Sequence, residues 1–162
     1  MKFRKAKIRD AKVINKIAAQ EIIFPYPVIL YATLATFDYL YVLENDAAKI
    51  IGFICFFPMP FSTDAFVLQV CLSGKYQSKG LGKNLLKRAY ETLRNKYKVT
   101  KIWAHTLKER SLKFFKKQKW IPSWSFLNIT VLQKSLDHLS LQNRNPLDPQ
   151  NHLDLRDPGP TE

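Results

Sequence analysis

Residues 77–82 read Gln77-Ser78-Lys79-Gly80-Leu81-Gly82 and hold two of the five glycines in a chain of 162 residues. A glycine weakens a helix by about 1 kcal/mol relative to alanine, yet a helical apolar pattern starts directly after them. Backbone N–H groups gathered at a helix N-terminus attract anions, because the helix dipole adds partial positive charge there. Without a Cβ at 80 and 82, a phosphate can come close to the main chain. Lys75, Lys79 and Lys83 add long-range attraction. The chemistry on offer is diphosphate binding. Two other glycine-rich phosphate loops fail on residue identity. A G-x-x-x-x-G-K-[ST] loop aligned on Gly82-Lys83 needs Gly at 77 and Ser or Thr at 84, where the chain has Gln77 and Asn84. A G-x-G-x-x-G fingerprint needs a glycine where Leu85 stands, and no opening βαβ unit precedes it.

The elements that must position this turn follow from the hydrophobic periods. The stretch 65–73, AFVLQVCLS, is apolar at nearly every position and reads as a strand buried on both faces. After the turn, Leu85, Leu86, Ala89, Tyr90, Leu93 and Tyr97 form one helical stripe. Upstream, residues 3–8 read as a strand. Residues 9–22 read as a helix with Val13, Ile14, Ile17 and Ala18 on one face, and 28–36 as a second helix. Residues 39–45 and the run ending at Phe57 are strands joined by a turn at Asn45-Asp46, and 58–64 is a loop. Downstream, 99–106 is a strand, 108–119 a basic helix with Leu112 and Phe115 facing inward, and 125–134 a closing strand. The order βααβββαβαβ describes an α+β (mixed α/β) domain, with a single central mixed, largely antiparallel sheet flanked by helices.

Charge and composition narrow the class. Residues 1–134 carry 24 Lys and Arg against 8 Asp and Glu, a net +16, while residues 135–162 carry 2 against 5, a net −3. The first segment reads as one domain. The second, rich in Pro, Asp and Asn and without periodicity, reads as a disordered acidic tail. A basic body attracts anions such as nucleic acid or phosphorylated cofactors. Cys55 and Cys71 sit singly in strand-like runs, which fits buried free thiols in a reducing cytoplasm and no metal site. The N-terminus lacks the apolar core of a signal peptide, and the longest apolar run is too short to span a bilayer. The expectation is a cytoplasmic protein with no membrane partner.

With the buried strand, the [RQ]-x-x-G-x-[GA] turn and the following helix in sequence, residues 2–133 resemble the GNAT superfamily of acetyl-CoA-dependent N-acetyltransferases. The resemblance implies that Gln77, Ser78, Lys79, Gly80, Leu81, Gly82 and Lys83 bind the cofactor's diphosphate. It also implies that Val70, Cys71 and Leu72 hold its pantetheine arm like an added strand. The family's later N-x-x-[SA]-x-x-x-Y-x-x-x-G-F pattern falls on Lys108, Ser111, Phe115, Lys119 and Trp120. Lys108 and Phe115 then belong to the cofactor site. Phe115 stands where a tyrosine often protonates the departing thiolate. The run from Phe24 to Ser73 is also similar to the diaminobutyrate acetyltransferases of ectoine synthesis, which tend to carry Phe at the position of Phe115.

Such a reaction needs a neutral amine, and an amine of pKa near 10 is mostly protonated at neutral pH. Something must accept a proton, directly or through water. Candidates are Glu44 at a strand end, His105 at the end of the strand after the cofactor helix, and Asp64 before the cofactor strand. Gln69 orients the amine or a water, and Tyr26 and Tyr31 line an acceptor pocket shared with Asp64. An N–H freed by a bulge in the buried strand would stabilise the oxyanion. Cys71 is not an acyl carrier, since no base is marked beside it. Two other readings stay open: a basic nucleic-acid-binding module, because residues 75–119 hold 15 Lys and Arg against 2 acids among interleaved aromatics, and a homologue that binds CoA without catalysis. The acceptor is a small molecule or a peptide. Aromatic-rich strands such as 125–134 offer a surface for a homodimer.

Overall fold

The computed structural model describes residues 1–126 and 129–136. Among the described residues, seven strands form one sheet in the order β1-β2-β3-β4-β5-β7-β6. They are β1 (Lys2–Lys5), β2 (Leu40–Glu44), β3 (Ile50–Pro58), β4 (Asp64–Leu72), β5 (Lys101–Thr106), β6 (Ile121–Phe126) and β7 (Ile129–Ser135). Every neighbouring pair is antiparallel except β4 with β5. Among the described residues, four α-helices flank the sheet: α1 (Ala11–Glu21), α2 (Val28–Thr36), α3 (Leu81–Tyr97) and α4 (Glu109–Lys117). The fold class read from the sequence is the one observed.

Two cores lie on the two faces. Leu85, Leu86, Ala89, Tyr90 and Leu93 of α3 pack with Val67, Ile102, Ala104, Phe115 and Leu132 on one face. Ile14, Ile17 and Ala18 of α1 and Tyr31, Leu34 and Ala35 of α2 pack with Leu40, Val42, Phe53, Cys55 and Cys71 on the other. Of the face expected on α1, Ile14, Ile17 and Ala18 are buried, whereas Val13 is exposed and Ala11 takes its buried position. The loop after α1 is held to that helix by Asn15, whose Nδ2 donates to the Tyr26 carbonyl at 2.8 Å. The first strand ends at Lys5 rather than Ile8, because Ile8–Asp10 turn as a 3-10 helix and Asp10 accepts from the Lys7 N–H at 2.8 Å.

The closing strand expected over 125–134 is instead a hairpin. Phe126 pairs with Ile129, and β6 runs back along β7 to Ile121. The run holds neither Gly nor Pro, so its pattern does not mark the reversal. The expected tail from 135 also starts late: Leu136 is buried and donates its N–H to the Thr100 carbonyl at 2.7 Å. Residues 137–162 lie outside the described residues. Among the described residues no helix is long and apolar enough to cross a membrane.

The feature that organises the molecule is β4. It pairs with β3 along its length, and with β5 only from Asp64–Lys101 to Val67–Ala104. Beyond Val67 the two parallel strands part. A bulge sits at that point, since Phe56 pairs with Val67 and Cys55 with Gln69, leaving Leu68 extra. The expectation that β4 is buried on both faces is not met: Ala65, Val67 and Cys71 are the buried residues of the strand. Phe66, Leu68, Gln69, Val70 and Leu72 are half-buried.

Candidate active site

The gap between β4 and β5 leaves main-chain groups without a neighbouring strand. The Ser73 N–H bonds the Ile51 carbonyl at 2.9 Å. In an antiparallel ladder the direction alternates residue by residue, so the peptide groups of Cys71 face β3 and those of Val70 and Leu72 face the gap. The Leu72 carbonyl is taken by Gln77 Nε2 at 2.8 Å. The Val70 N–H and carbonyl and the Leu72 N–H remain directed into the gap. Of the three residues expected to hold a pantetheine arm, Cys71 thus turns its backbone away.

The glycine turn stands at the open end of the gap. Gly80 has φ +75°, a left-handed value that side chains disfavour, and a Cβ there would meet nothing within 4 Å. Gly82 serves packing: a Cβ on it would lie 3.2 Å from Cζ of Phe114. Open space is therefore found at Gly80, while the room at Gly82 is filled by the α4 ring. The Gln77 N–H bonds Gly74 O at 3.1 Å, and the Lys83 N–H bonds Gly80 O at 3.1 Å. Between them, the amides of Ser78, Lys79, Gly80, Leu81 and Gly82 have no protein acceptor among the described residues. Gln77 belongs to the turn through its side chain rather than its amide. Arg110 joins the site from α4, its Nη2 donating to Ser78 Oγ at 3.3 Å. The sequence reading missed Arg110, which lies one residue before the Ser111 used to align α4.

On the opposite face the loop between α1 and α2 covers the bulge. Tyr31 Oη donates to Gln69 Oε1 at 2.7 Å and accepts the Tyr26 N–H at 3.3 Å, and Gln69 Nε2 donates to the Phe24 carbonyl at 3.2 Å. Gln69 is thereby committed to holding the loop. Burial raises the Tyr31 hydroxyl pKa strongly, so it stays neutral and donates. Tyr26 packs against Tyr31 with ring centroids 5.9 Å apart, and burial raises its pKa as well. His105 follows Ala104, the last residue of β5 that pairs with β4, and itself pairs with Val131 of β7. It points away from α3, because Ile102 and Ala104 on either side of Trp103 enter the α3 core. Its ring lies 5.8 Å from that of Phe66.

The remaining candidates are placed elsewhere. Glu44 is buried and receives Arg4 Nε at 2.8 Å and Nη2 at 2.6 Å. Arg4 also reaches Asp10 at 2.7 Å, so Glu44 belongs to a structural ion network across β1 and β2. Asp64 opens β4 at the end far from the glycine turn and accepts the Trp103 indole N–H at 2.7 Å. It is a strand residue, not the loop residue expected, and its carboxylate is engaged by Trp103. Phe115 is buried against Trp120, ring centroids 5.0 Å apart, and offers no proton to the gap. Lys108 sends its Nζ to the Glu21 carbonyl at 2.7 Å, closing the C-terminus of α1. Both cysteines are buried, and burial pushes their thiols up to about 12. Neither is a nucleophile at neutral pH.

Residues 12–120 match the sequence profile described as the acetyltransferase (GNAT) family. No curated protein matches the chain in sequence. Solved structures share the fold at low identity. Ard1 from Thermoplasma volcanium superposes with a TM-score of 0.72 at 15% identity, covering 83% of this chain and 96% of that one. The PaiA N-acetyltransferase from Thermoplasma acidophilum, in complex with coenzyme A, gives 0.65 at 16%, covering 83% and 98%. The ribosomal-protein-S18-alanine N-acetyltransferase from Escherichia coli gives 0.68 at 14%, covering 83% and 92%.

Proposed function

The chain belongs to the GNAT acetyltransferase family, and from that premise we propose that it moves the acetyl group of acetyl-CoA onto a primary amine by direct attack in a ternary complex. One observation carries the reading. Five successive amides, Ser78 to Gly82, have no protein acceptor among the described residues and lie beside a gap edged by Val70 and Leu72. The diphosphate takes those amides and the charge of Arg110, Lys79 and Lys83. The pantetheine arm adds to β4 through the Val70 and Leu72 main chain. The thioester then lies near the bulge at Leu68, where the Val70 N–H receives the developing oxyanion.

The amine enters from the face of α1 and α2. It arrives largely as an ammonium, and His105 takes one proton, directly or through water. The nitrogen forms its bond to the carbonyl carbon and the C–S bond breaks. The thiolate leaves and takes a proton, and one proton in total is released to solvent. A thiol of ordinary pKa about 8.5 is a fair leaving group, so the reaction proceeds with Phe115 in place of a donor.

The test is calorimetric binding of acetyl-CoA to the wild type and to the double variant Gly80→Val, Gly82→Val. We expect at least about a hundredfold loss, roughly 2.7 kcal/mol. Equal affinity would sink the reading. Because Phe115 lies in the core, a second reading is a CoA-binding protein without turnover. Thiol release from acetyl-CoA over a panel of amines separates the two, since turnover on any amine removes the second.

A further inference from the structure

One half of the sheet is bare. The core of α1 and α2 takes residues from β2, β3 and β4 and, among the described residues, none from β5, β6 or β7. Strand register lays a row of side chains across that uncovered face: Phe57, Phe66, Trp103, Gln133 and Ile121, each the Cα partner of the next. Cross-strand partners share a face. Their neighbours along the strands, Val67, Ile102 and Leu132, enter the α3 core on the other side. Trp124 and Phe126 extend the face along β6, and His105 closes it toward the gap. None of its apolar side chains belongs to either core. Ile121, Trp124 and Phe126 are 63%, 57% and 65% exposed, on a strand exposed from end to end.

Charge is sparse on this face. Residues 1–134 carry 24 Lys and Arg against 8 Asp and Glu, yet the described strands present here one base and one acid, Lys101 and Asp64, which are Cα partners. Both attend Trp103: Lys101 Nζ lies 5.7 Å from its ring centroid, and Asp64 accepts its indole N–H at 2.7 Å. Aromatic enrichment with charge depletion marks the core of a protein–protein contact. Two copies meeting by the basic helices α3 and α4 would bring cations together, whereas here an acid and a base meet the same pair. The face spans four strand spacings, about 19 Å, and about 20 Å along β7. Two such faces bury on the order of 1,000 Å², the size of a weak specific contact. We propose that the bare face running from β3 across β4, β5 and β7 to β6 is the contact with a second copy of this chain, the two related by a two-fold axis. The contact does not depend on the acetyltransferase reading. Under that reading, the second copy stands beside His105 and walls the acceptor side of the cleft.

Analytical ultracentrifugation of the full chain, without acetyl-CoA, tests this. We expect a monomer–dimer equilibrium with a Kd of roughly 1–100 μM. Raising the salt from about 0.1 to about 0.5 M should tighten it, because screening removes the repulsion between two basic bodies. Trp124→Lys on β6 and Phe57→Lys on β3 should each weaken dimerisation at least about tenfold, and Trp124→Phe should retain it. Far-UV spectra and denaturation midpoints check that the variants fold, with Phe57→Ser standing in for Phe57→Lys if that variant does not. A chain that stays monomeric at about 200 μM would overturn the proposal, and so would a monomer that binds a uridine oligonucleotide through Trp124. A dimer indifferent to both lysine variants would place the contact elsewhere and overturn it. Loss with Trp124→Lys but not with either Phe57 variant would mean pairing along the free edge of β6, which overturns the face contact as well. Association is read on the protein alone, so its failure and a failure to bind acetyl-CoA are separate results.

Discussion

The two halves of β4 share one apolar sequence character and have opposite fates. From Asp64 to Val67 the strand is bonded on both edges, and Ala65 and Val67 are buried. From Gln69 to Leu72 it is bonded on one edge, and the amides of Val70 and Leu72 point into a gap. Open backbone groups in a half-buried place cost stability unless something bonds them. The first half is therefore closed on both edges, and the second half of the same strand keeps an open edge, which the proposed function gives to the cofactor. The switch is one extra residue, Leu68. Leu68 packs toward α1 and α2, and Gln69 bonds Tyr31 on the same side, so the bulge turns two consecutive side chains to one face. Val70 and Leu72 return to the face of α3.

Substitutions in the two halves should separate stability from affinity. The largest effect is expected in the first half. Ile102, fully buried on β5 beside it, should cost about 2–5 kcal/mol of stability as Ile102→Ala. Denaturant melts should register this loss, with acetyl-CoA affinity per folded molecule unchanged. Next is the hinge between the halves. Tyr31→Phe leaves Gln69 Oε1 and the Tyr26 N–H without their partner. It should cost about 1–3 kcal/mol and raise the KM for the acceptor more than that for acetyl-CoA in steady-state kinetics. Smaller again, Arg110→Ala touches only the second half. It should weaken acetyl-CoA roughly three- to tenfold and flatten the salt dependence of binding; unchanged affinity at low salt would remove Arg110 from the site.

The smallest effect concerns pH. Burial alone would raise the Asp10 carboxyl, but the hydrogen bonds from Arg4 and the Lys7 N–H outweigh it and hold it below its ordinary 3.8. A depressed carboxyl contributes stability that is present above the unfolded value and lost as pH falls through the folded one. Midpoints of denaturation should thus be flat near neutrality and fall below about pH 4. Asp10→Asn should lower the plateau and reduce that acid-limb slope.

Local patterns were legible in the sequence and cross-chain ones were not. The turn at 77–82 could be read because Gly80 must take a positive φ and the α3 stripe follows directly. The buried face of α3 could be read because Leu85, Leu86, Ala89, Tyr90 and Leu93 recur at helical spacing. Glu44 looked like a proton acceptor because nothing in its neighbourhood shows Arg4 arriving from forty residues away. The contacts of Glu21 were hidden for the same reason. Its partners Gln77 and Lys108 lie 56 and 87 residues on, and only the folded chain brings them together. The hairpin of β6 and β7 was missed because exposed Trp124 and Phe126 look like core residues in a linear reading.

The state of the two cysteines has a practical side. Cys71 flanks the route by which the reaction would release a free thiol, yet it is buried and held protonated. It should exchange slowly with disulfides, and the product cannot readily become tethered to the protein as a mixed disulfide. A thiol-reactive dye added during turnover would accordingly report liberated coenzyme A over a low background, with no need to remove either cysteine first.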